Sequence, residues 1–223
     1  MSPKVNEAAK IAQIHYIYQQ RPNKERADNF AKRKLGRIGY ELDSSNTDKD
    51  VLTAKRGDNI HINYTGTNIE SPRDILSDAA LAVGLQSKNK QFSDRRKKTR
   101  DIMRQYDKEL EGKADYSLGG HSLGSSIALN TMKESKSIRD RVKKVHVFNP
   151  GYTKPFHESL KVDKQTKKDL DKKVNIHRVS GDVVSAHANK ETAFGNLFEY
   201  KHADKDSDLL DKHSLDTFTN TEL

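Results

Sequence analysis

The sequence of 223 residues contains no cysteine. This absence excludes disulfide bonds, zinc sites built on thiolates and cysteine nucleophiles, and it removes any need for an oxidising compartment. Hydrophobic residues are also scarce, at 33% of the chain, and no stretch approaches the roughly 18 consecutive apolar residues that cross a bilayer. The N-terminal residues lack the unbroken apolar core of a secretory signal. We therefore expect a soluble protein, located inside a cell or associated with a particle.

Charged residues are abundant by contrast, and Lys and Arg exceed Asp and Glu to give a formal net charge of +9. Such a surplus can serve contact with an anionic lipid surface or with nucleic acid, because both concentrate negative charge. It can equally serve solubility alone. No stretch interleaves aromatic and basic residues as base-stacking surfaces do, which argues against nucleic acid as a partner.

The length of the chain suits one domain, residues 1–223, with one active site. Apolar residues at helical spacing predict N-terminal helices within about residues 4–35. Short segments separated by turn residues then indicate an antiparallel meander, and farther along strands alternate with helices, which is typical of parallel crossover units. The sequence therefore predicts an α/β fold with a mixed, mostly parallel central sheet flanked by helices.

The individual predictions cover most of the chain. The predicted strands are Arg37 to Leu42, Asp50 to Ala54, Asn59 to Thr65, Lys113 to Leu118, Lys144 to Phe148 and Val174 to Val179, with a further strand-like stretch from Phe194 to Tyr200. The predicted helices that follow the N-terminal pair are Pro72 to Gly84, Arg95 to Leu110 and Ser125 to Glu134, and the polar stretch Asp163 to Lys173 is expected to be a solvated helix or loop.

The motif with the clearest chemical meaning is Gly-His-Ser-Leu-Gly at residues 120–124. It lies between an apolar strand and a helix of small residues, where a sharp turn raises a serine hydroxyl above the edge of a sheet. A glycine-rich turn with an N-capping serine is the alternative, whereas a phosphate loop would need a Gly-Lys-Ser/Thr that does not follow. We predict Ser122 as a nucleophile and the backbone N–H of Leu123 as a donor to the oxyanion.

A serine hydroxyl needs an imidazole to accept its proton and a carboxylate to orient that imidazole. Asp182 follows a predicted strand through a single glycine, at the strand end where the active sites of such sheets gather. We predict it as the acid, with a plain turn aspartate as the alternative. His187 lies only five residues beyond Asp182. His202 and His213 lie beyond a further strand-like stretch that could return the chain to the sheet, so they are better placed. We predict His213 as the base, with His202 as the reserve candidate and a plain surface histidine as the alternative.

A second oxyanion donor should come from an earlier strand end. Thr65-Gly66-Thr67-Asn68 ends the most clearly alternating strand, and Thr67 offers both an N–H and a hydroxyl. We predict Thr67 as that donor, with an ordinary strand-terminating turn as the alternative. The remaining histidines show no ligand-like spacing, so the sequence predicts neither a metal site nor a cofactor.

These residues resemble the fungal-type (class 3) lipase family of the α/β-hydrolase superfamily. The resemblance spans roughly Arg37 to Phe218, and besides the elbow it is carried by Tyr64-Thr65-Gly66-Thr67, Asp74 to Asp78, Val147 to Gly151, Arg178 to Val184 and Lys212 to Asp216. It implies the α/β-hydrolase fold, a triad of Ser122, Asp182 and His213, and cleavage of carboxylic esters, acylglycerols first among them. Thr65 stands where the family has Arg, and Ser125 where it has Gly. The stretch matching the family's lid, residues 68–80, is only partly apolar.

Two other functions remain open. The basic run from Arg95 to Lys98, with Arg100, could hold a phospholipase at an anionic membrane surface, although such a run is equally typical of a solvated helix face. The chain could also be a catalytically silent binding protein of the same fold. The intact set of Ser122, Asp182 and His213 argues against that. The expected ligand of an active enzyme is a lipid or a small ester.

Overall fold

The computed structural model describes residues 2–66, 90–182, 184–185, 192–202 and 209–219. The predicted helix from Pro72 to Gly84 lies outside these residues. The strands are β1 (Glu41–Leu42), β2 (Val51–Arg56), β3 (Asn59–Tyr64), β4 (Asp115–His121), β5 (Val142–Phe148), β6 (Val174–Val179) and β7 (Asn196–Tyr200). The helices are α1 (Val5–Gln19), α2 (Lys24–Gly36), α3 (Lys90–Glu109), α4 (Leu123–Glu134), α5 (Lys136–Arg141), α6 (Lys154–Ser159), α7 (Lys164–Lys173), α8 (Leu209–His213) and α9 (Asp216–Thr219).

The seven strands form one sheet, and their order in space is their order in the chain. β1, β2 and β3 pair antiparallel, whereas β3 to β7 pair parallel. The prediction of a mixed, mostly parallel sheet is therefore confirmed. Because β3 to β6 run in the same direction, the loops that follow them meet at one edge of the sheet.

Several boundaries differ from the sequence prediction for local reasons. The first strand is shortened to Glu41–Leu42, because the chain leaves α2 through a turn in which Gly39 has a φ of 76°. β5 begins at Val142 rather than at Lys144, since the lysines near its start point toward solvent. The polar stretch after residue 162 is a helix. Asp163 caps it by accepting from the N–H groups of Gln165 and Thr166, at 2.9 Å each.

The two faces of the sheet differ in polarity. On one face, alternate residues of the strands pack with α3 and α4 into the main apolar core, which includes Ile62, Leu118, Val147 and Ile127. On the other face, α1 lies against the sheet through small residues such as Ala12, and Phe148 packs there. Helix α1 thereby covers a face on which much of the buried surface is polar.

Buried histidines are the main component of that polar face. His61 on β3 bonds the hydroxyl of Ser117 on β4 at 2.9 Å, and His146 on β5 bonds His177 on β6 at 3.0 Å. Burial lowers the pKa of His61 to about 3 and that of His146 to about 4. These rings are therefore neutral at physiological pH. No helix among the described residues is both long and apolar enough to cross a membrane.

Candidate active site

The backbone at Ser122 makes a sharp turn between β4 and α4. Ser122 has φ 53° and ψ −123°, a conformation that residues with side chains rarely adopt. Its N–H donates to the carbonyl of Phe148 on β5 at 3.0 Å, and its own carbonyl accepts from Gly151 at 3.3 Å. Strain of this kind costs about 1–3 kcal/mol and persists only where the surroundings enforce it. Here the neighbouring strand end enforces it.

The two glycines of the motif are required by close backbone contacts. A Cβ on Gly120 would lie 2.5 Å from the carbonyl carbon of Gly124. A Cβ on Gly124 would lie 2.2 Å from the carbonyl oxygen of Tyr64 on β3. Neither clash involves a side chain that could move aside. The hydroxyl of Ser125, the residue directly after the motif, bonds the carbonyl oxygens of Gly120 and Phe148 at 2.7 and 2.9 Å.

Asp182 lies in the loop after β6, where its carboxylate is buried and accepts three hydrogen bonds. The N–H of Val184 donates to Oδ1 at 3.0 Å, the hydroxyl of Ser185 donates to Oδ2 at 2.6 Å, and Nδ1 of His213 lies 3.1 Å from Oδ1. Burial acts to raise the pKa of this carboxyl, but the hydrogen bonds and the favourable electrostatic interaction with the His213 ring outweigh it and lower the pKa below its usual value. The carboxylate is therefore ionised.

His213 is the last residue of α8. Its ring is buried, with Nδ1 toward Asp182, while Nε2 has no hydrogen-bond partner among the described residues. The ring centroid lies 4.8 Å from that of His121, the residue directly before Ser122. The structure thus brings Asp182 and His213 into contact next to the elbow.

His121 joins the histidine segment to the N-terminal helix. Its Nε2 lies 2.6 Å from the carbonyl oxygen of His213, and since a carbonyl can only accept, Nε2 carries the proton. Burial lowers the pKa of His121 to about 3, so Nδ1 is unprotonated and accepts from the hydroxyl of Tyr16 on α1 at 3.2 Å. The Tyr16 oxygen in turn accepts from the backbone N–H of Gly66. This chain of hydrogen bonds links the end of β3 to the backbone of His213.

The structure describes one of the two predicted oxyanion donors. Leu123 begins α4 directly after Ser122, and its backbone nitrogen would be 3.5 Å from a Cβ on Gly66. Thr67, the predicted second donor, lies outside the described residues. Thr65 is buried, and its carbonyl oxygen accepts from the guanidinium of Arg95 on α3 at 3.0 Å. The strand end that precedes Thr67 is therefore fixed by a buried arginine.

A scan against protein-family models and a search of curated proteins find no match. Among solved structures, a lipase from Rhizopus microsporus var. chinensis is 14% identical, with a TM-score of 0.49 and coverage of 88% of this chain and 72% of that one. The Rhizomucor miehei lipase in complex with its propeptide is 13% identical, with a TM-score of 0.47 and coverage of 90% and 68%. A predicted CIB-like hydrolase from Thermoplasma acidophilum is 15% identical, with a TM-score of 0.38 and coverage of 69% and 81%.

The fold is that of an α/β hydrolase. A mostly parallel sheet with helices on both faces carries an elbow with a positive φ after a central strand, and an aspartate and a histidine lie beyond later strands. Of the two histidine candidates, His213 is the one that bonds Asp182, while His202 follows β7. His187 lies outside the described residues.

Sequence reasoning did not identify three residues that support this site. Ser185 bonds the carboxylate of Asp182, Tyr16 bonds His121, and Asn149 bonds the carbonyl oxygens around His213. Tyr16 lies within the N-terminal segment that the sequence predicts only as helical, and Asn149 stands in an Asn-Pro-Gly sequence whose residue types are typical of turns. No local pattern indicates the partners of Tyr16 and Asn149, because those partners are far away in the chain. Ser185, by contrast, lies three residues after Asp182, where a hydroxyl could have been recognised as a neighbour of the carboxylate.

Proposed function

We propose that this chain is a carboxylic ester hydrolase that acts through an acyl-enzyme on Ser122, with lipid esters, acylglycerols first among them, as substrates. The observation that supports the proposal best is the orientation of His213. Its Nδ1 lies 3.1 Å from the buried carboxylate of Asp182, while its Nε2 has no partner among the described residues. An imidazole held by a carboxylate on one side and unpartnered on the other suits the base of a serine nucleophile.

In the proposed reaction, Ser122 Oγ attacks the ester carbonyl carbon while Nε2 of His213 accepts the hydroxyl proton. The carbonyl π electrons move to oxygen, and the Leu123 N–H donates to that oxyanion, with Thr67 as the proposed second donor. When the oxyanion collapses, the bond to the alcohol breaks and His213 gives its proton to the leaving oxygen. Water then attacks the acyl-enzyme by the same route and releases the acid. Asp182 stabilises the imidazolium in both halves.

The lipid part of the proposal is supported by the sequence motifs, since the elbow and the segments around Asp182 and His213 resemble those of the fungal-type lipases. The basic run on α3 gives no separate support to a phospholipase, because most of its side chains have other partners. Arg95 bonds Asp50, Arg96 bonds Asn130, and Lys98 bonds Asp48. Contact with anionic membranes is therefore an outcome to be tested.

The first experiment treats the protein with a fluorophosphonate probe and follows hydrolysis of p-nitrophenyl butyrate and p-nitrophenyl palmitate. Ser122→Ala should abolish labelling and turnover together. Ser117→Ala is the matched control, since this buried serine lies on β4, the strand that leads to Ser122, and bonds His61. The control should retain labelling. If a folded wild-type protein neither labels nor hydrolyses either ester, the enzymatic proposal is wrong and a binding protein of this fold takes its place.

A second measurement separates the lipid classes. Trioleoylglycerol emulsions and phosphatidylglycerol vesicles are offered to the wild type, and released fatty acid is titrated. Release from the emulsion alone supports an acylglycerol lipase, whereas release from the anionic vesicles supports the phospholipase alternative. Hydrolysis of p-nitrophenyl butyrate without release from either lipid would restrict the function to small esters.

A further inference from the structure

We propose that Asn149 is a positioning residue that holds the backbone of the His213 segment against the elbow and thereby sets the place of the imidazole. The catalytic consequence rests on the proposed ester hydrolysis. The placement itself does not, because it follows from hydrogen bonds that exist with or without a substrate.

The side-chain amide of Asn149 connects two distant segments. Asn149 directly follows β5 and is fully buried. Its Nδ2 group lies 3.1 Å from the carbonyl oxygens of Lys212 and His213, and 3.4 Å from that of Ser214. Its Oδ1 accepts from the backbone N–H of Val179, at the end of β6, at 2.8 Å. Both ends of one amide are therefore used, one toward the histidine segment and one toward the strand that leads to Asp182.

The backbone of the same residue is tied to the sheet edge. The N–H of Asn149 donates to the carbonyl of His177 on β6 at 2.8 Å. The preceding carbonyl, that of Phe148, accepts from the N–H of Ser122 at 3.0 Å. Asn149 thus touches or adjoins the segments that carry the nucleophile, the acid and the base. The side chain of Asn149 and the backbone that adjoins it therefore connect all three segments.

Asparagine suits this position for two separate reasons. The backbone φ of Asn149 is 40°, in the left-handed region that asparagine tolerates better than most residues. Its planar amide also offers two N–H donors and one acceptor at once. Aspartate has the same shape but would place carboxylate oxygens against three carbonyl oxygens. Glycine tolerates the backbone but has no amide. These two substitutions therefore separate the amide from the backbone conformation.

The role differs from that of His121, which also bonds the carbonyl of His213. His121 acts through a ring that packs beside the imidazole, with centroids 4.8 Å apart. The side chain of Asn149 bonds backbone atoms of residues 212–214 and of Val179, and none of these atoms reacts. Its loss should therefore displace His213 without removing any group that reacts. Displacements of about 1 Å in such a group can lower a rate by as much as about 100-fold.

The test uses Asn149→Gly and Asn149→Asp in the full chain, with Asn175→Ala as the control. Asn175 is another buried asparagine, on β6, and it faces Asn196 on β7 rather than the histidine segment. Active sites are counted with the fluorophosphonate, so that kcat is expressed per reactive serine. We expect kcat per site to fall about 10–100-fold in both variants, with KM within about threefold of the wild type. The control should retain its kcat per site even where it loses stability.

A measurement independent of turnover accompanies the kinetics. The Nδ1–H proton of His213, which bonds Asp182, is observed by NMR in 15N-histidine-labelled protein and assigned with His213→Gln. We expect its resonance to shift or broaden in Asn149→Gly and Asn149→Asp and to remain in place in Asn175→Ala. If the wild type hydrolyses no ester, the kinetic comparison cannot be made. The resonance alone then tests whether Asn149 positions the His213 ring. The inference is overturned if the resonance is unchanged in both variants, or if an active enzyme keeps its kcat per site within twofold.

Discussion

Gly124 occupies a position at which no side chain fits, because its Cα faces the backbone of β3. The Cβ of alanine there would lie 2.2 Å from the Tyr64 carbonyl oxygen, and relief would require a strand to move. We expect Gly124→Ala to lower the free energy of unfolding by about 3 kcal/mol or more, as measured by urea denaturation. Gly36→Ala is the matched control, since no atom of the described residues would lie within 4 Å of the added Cβ and the residue ends a helix. A small decrease in the free energy of unfolding of Gly124→Ala would show that the end of β3 moves to accommodate the methyl group.

The hydroxyl of Tyr16 joins α1 to the elbow. It donates to His121 at 3.2 Å and accepts from Gly66. A hydrogen bond of this kind contributes about 0.5–1.5 kcal/mol, so we expect Tyr16→Phe to reduce kcat/KM of ester hydrolysis by about 3–10-fold. Tyr18→Phe removes a hydroxyl from the same helix that bonds Asp28 at 2.9 Å. It should cost similar stability and no activity, and equal kinetic losses would refute the assignment.

Helix α9 fixes the segment that carries His213 to the rest of the molecule. Phe218 on this helix is fully buried, with its ring centroid 5.0 Å from that of Phe148 and 5.1 Å from that of Tyr200. We expect Phe218→Ala to lower the free energy of unfolding by about 3–5 kcal/mol in urea titrations. Phe198→Ala, which truncates a ring that is 44% exposed, should cost much less. Comparable losses in the two variants would mean that α9 is held by other contacts.

The elements could be predicted where local pattern and burial agree. Ile60, Ile62 and Tyr64 alternate with polar residues and predicted β3 correctly. Taken alone, the same alternation would leave His61 and Asn63 on a solvent-facing side, whereas both are buried and Asn63 bonds His15 on α1. The pattern reports only which residues share a face, and whether a polar face is covered depends on a helix elsewhere in the chain. The elbow could be predicted because its five residues are consecutive in the sequence. The role of Asn149 could not, because its partners come close only in the folded chain.

The molecule as a whole should lose stability in mild acid. Burial lowers the pKa of each of these histidines below the value of about 6.5 in an unfolded chain: His15 (to about 3), His61 (to about 3), His121 (to about 3), His146 (to about 4) and His177. The unfolded chain therefore binds more protons below pH 6.5. Stability is full above that pH and falls on acidification by about 1.4 kcal/mol per pH unit for each histidine that stays neutral.

Urea denaturation between pH 8 and pH 4 measures this dependence. The free energy of unfolding should be nearly constant from pH 8 to pH 7 and should fall steeply below pH 6.5. His61→Gln removes one titrating group and should reduce the slope by about 1.4 kcal/mol per pH unit, whatever it does to stability at pH 8. A slope identical to that of the wild type would show that His61 takes up its proton in the folded state.

The packing of α9 on α1 also bears on the order in which the chain is synthesised. Gln13 on α1 bonds Asp216 on α9 at 3.2 Å, and Ala8, Ala9 and Ala12 pack with Leu215 and Phe218. On a ribosome, the residues of α1, the elbow and Asp182 all emerge before residue 213. A nascent chain stalled before residue 209 would therefore hold Ser122 without its proposed base. Under the proposed chemistry the growing polypeptide remains inert, and hydrolysis begins only after its last described helix has reached its first.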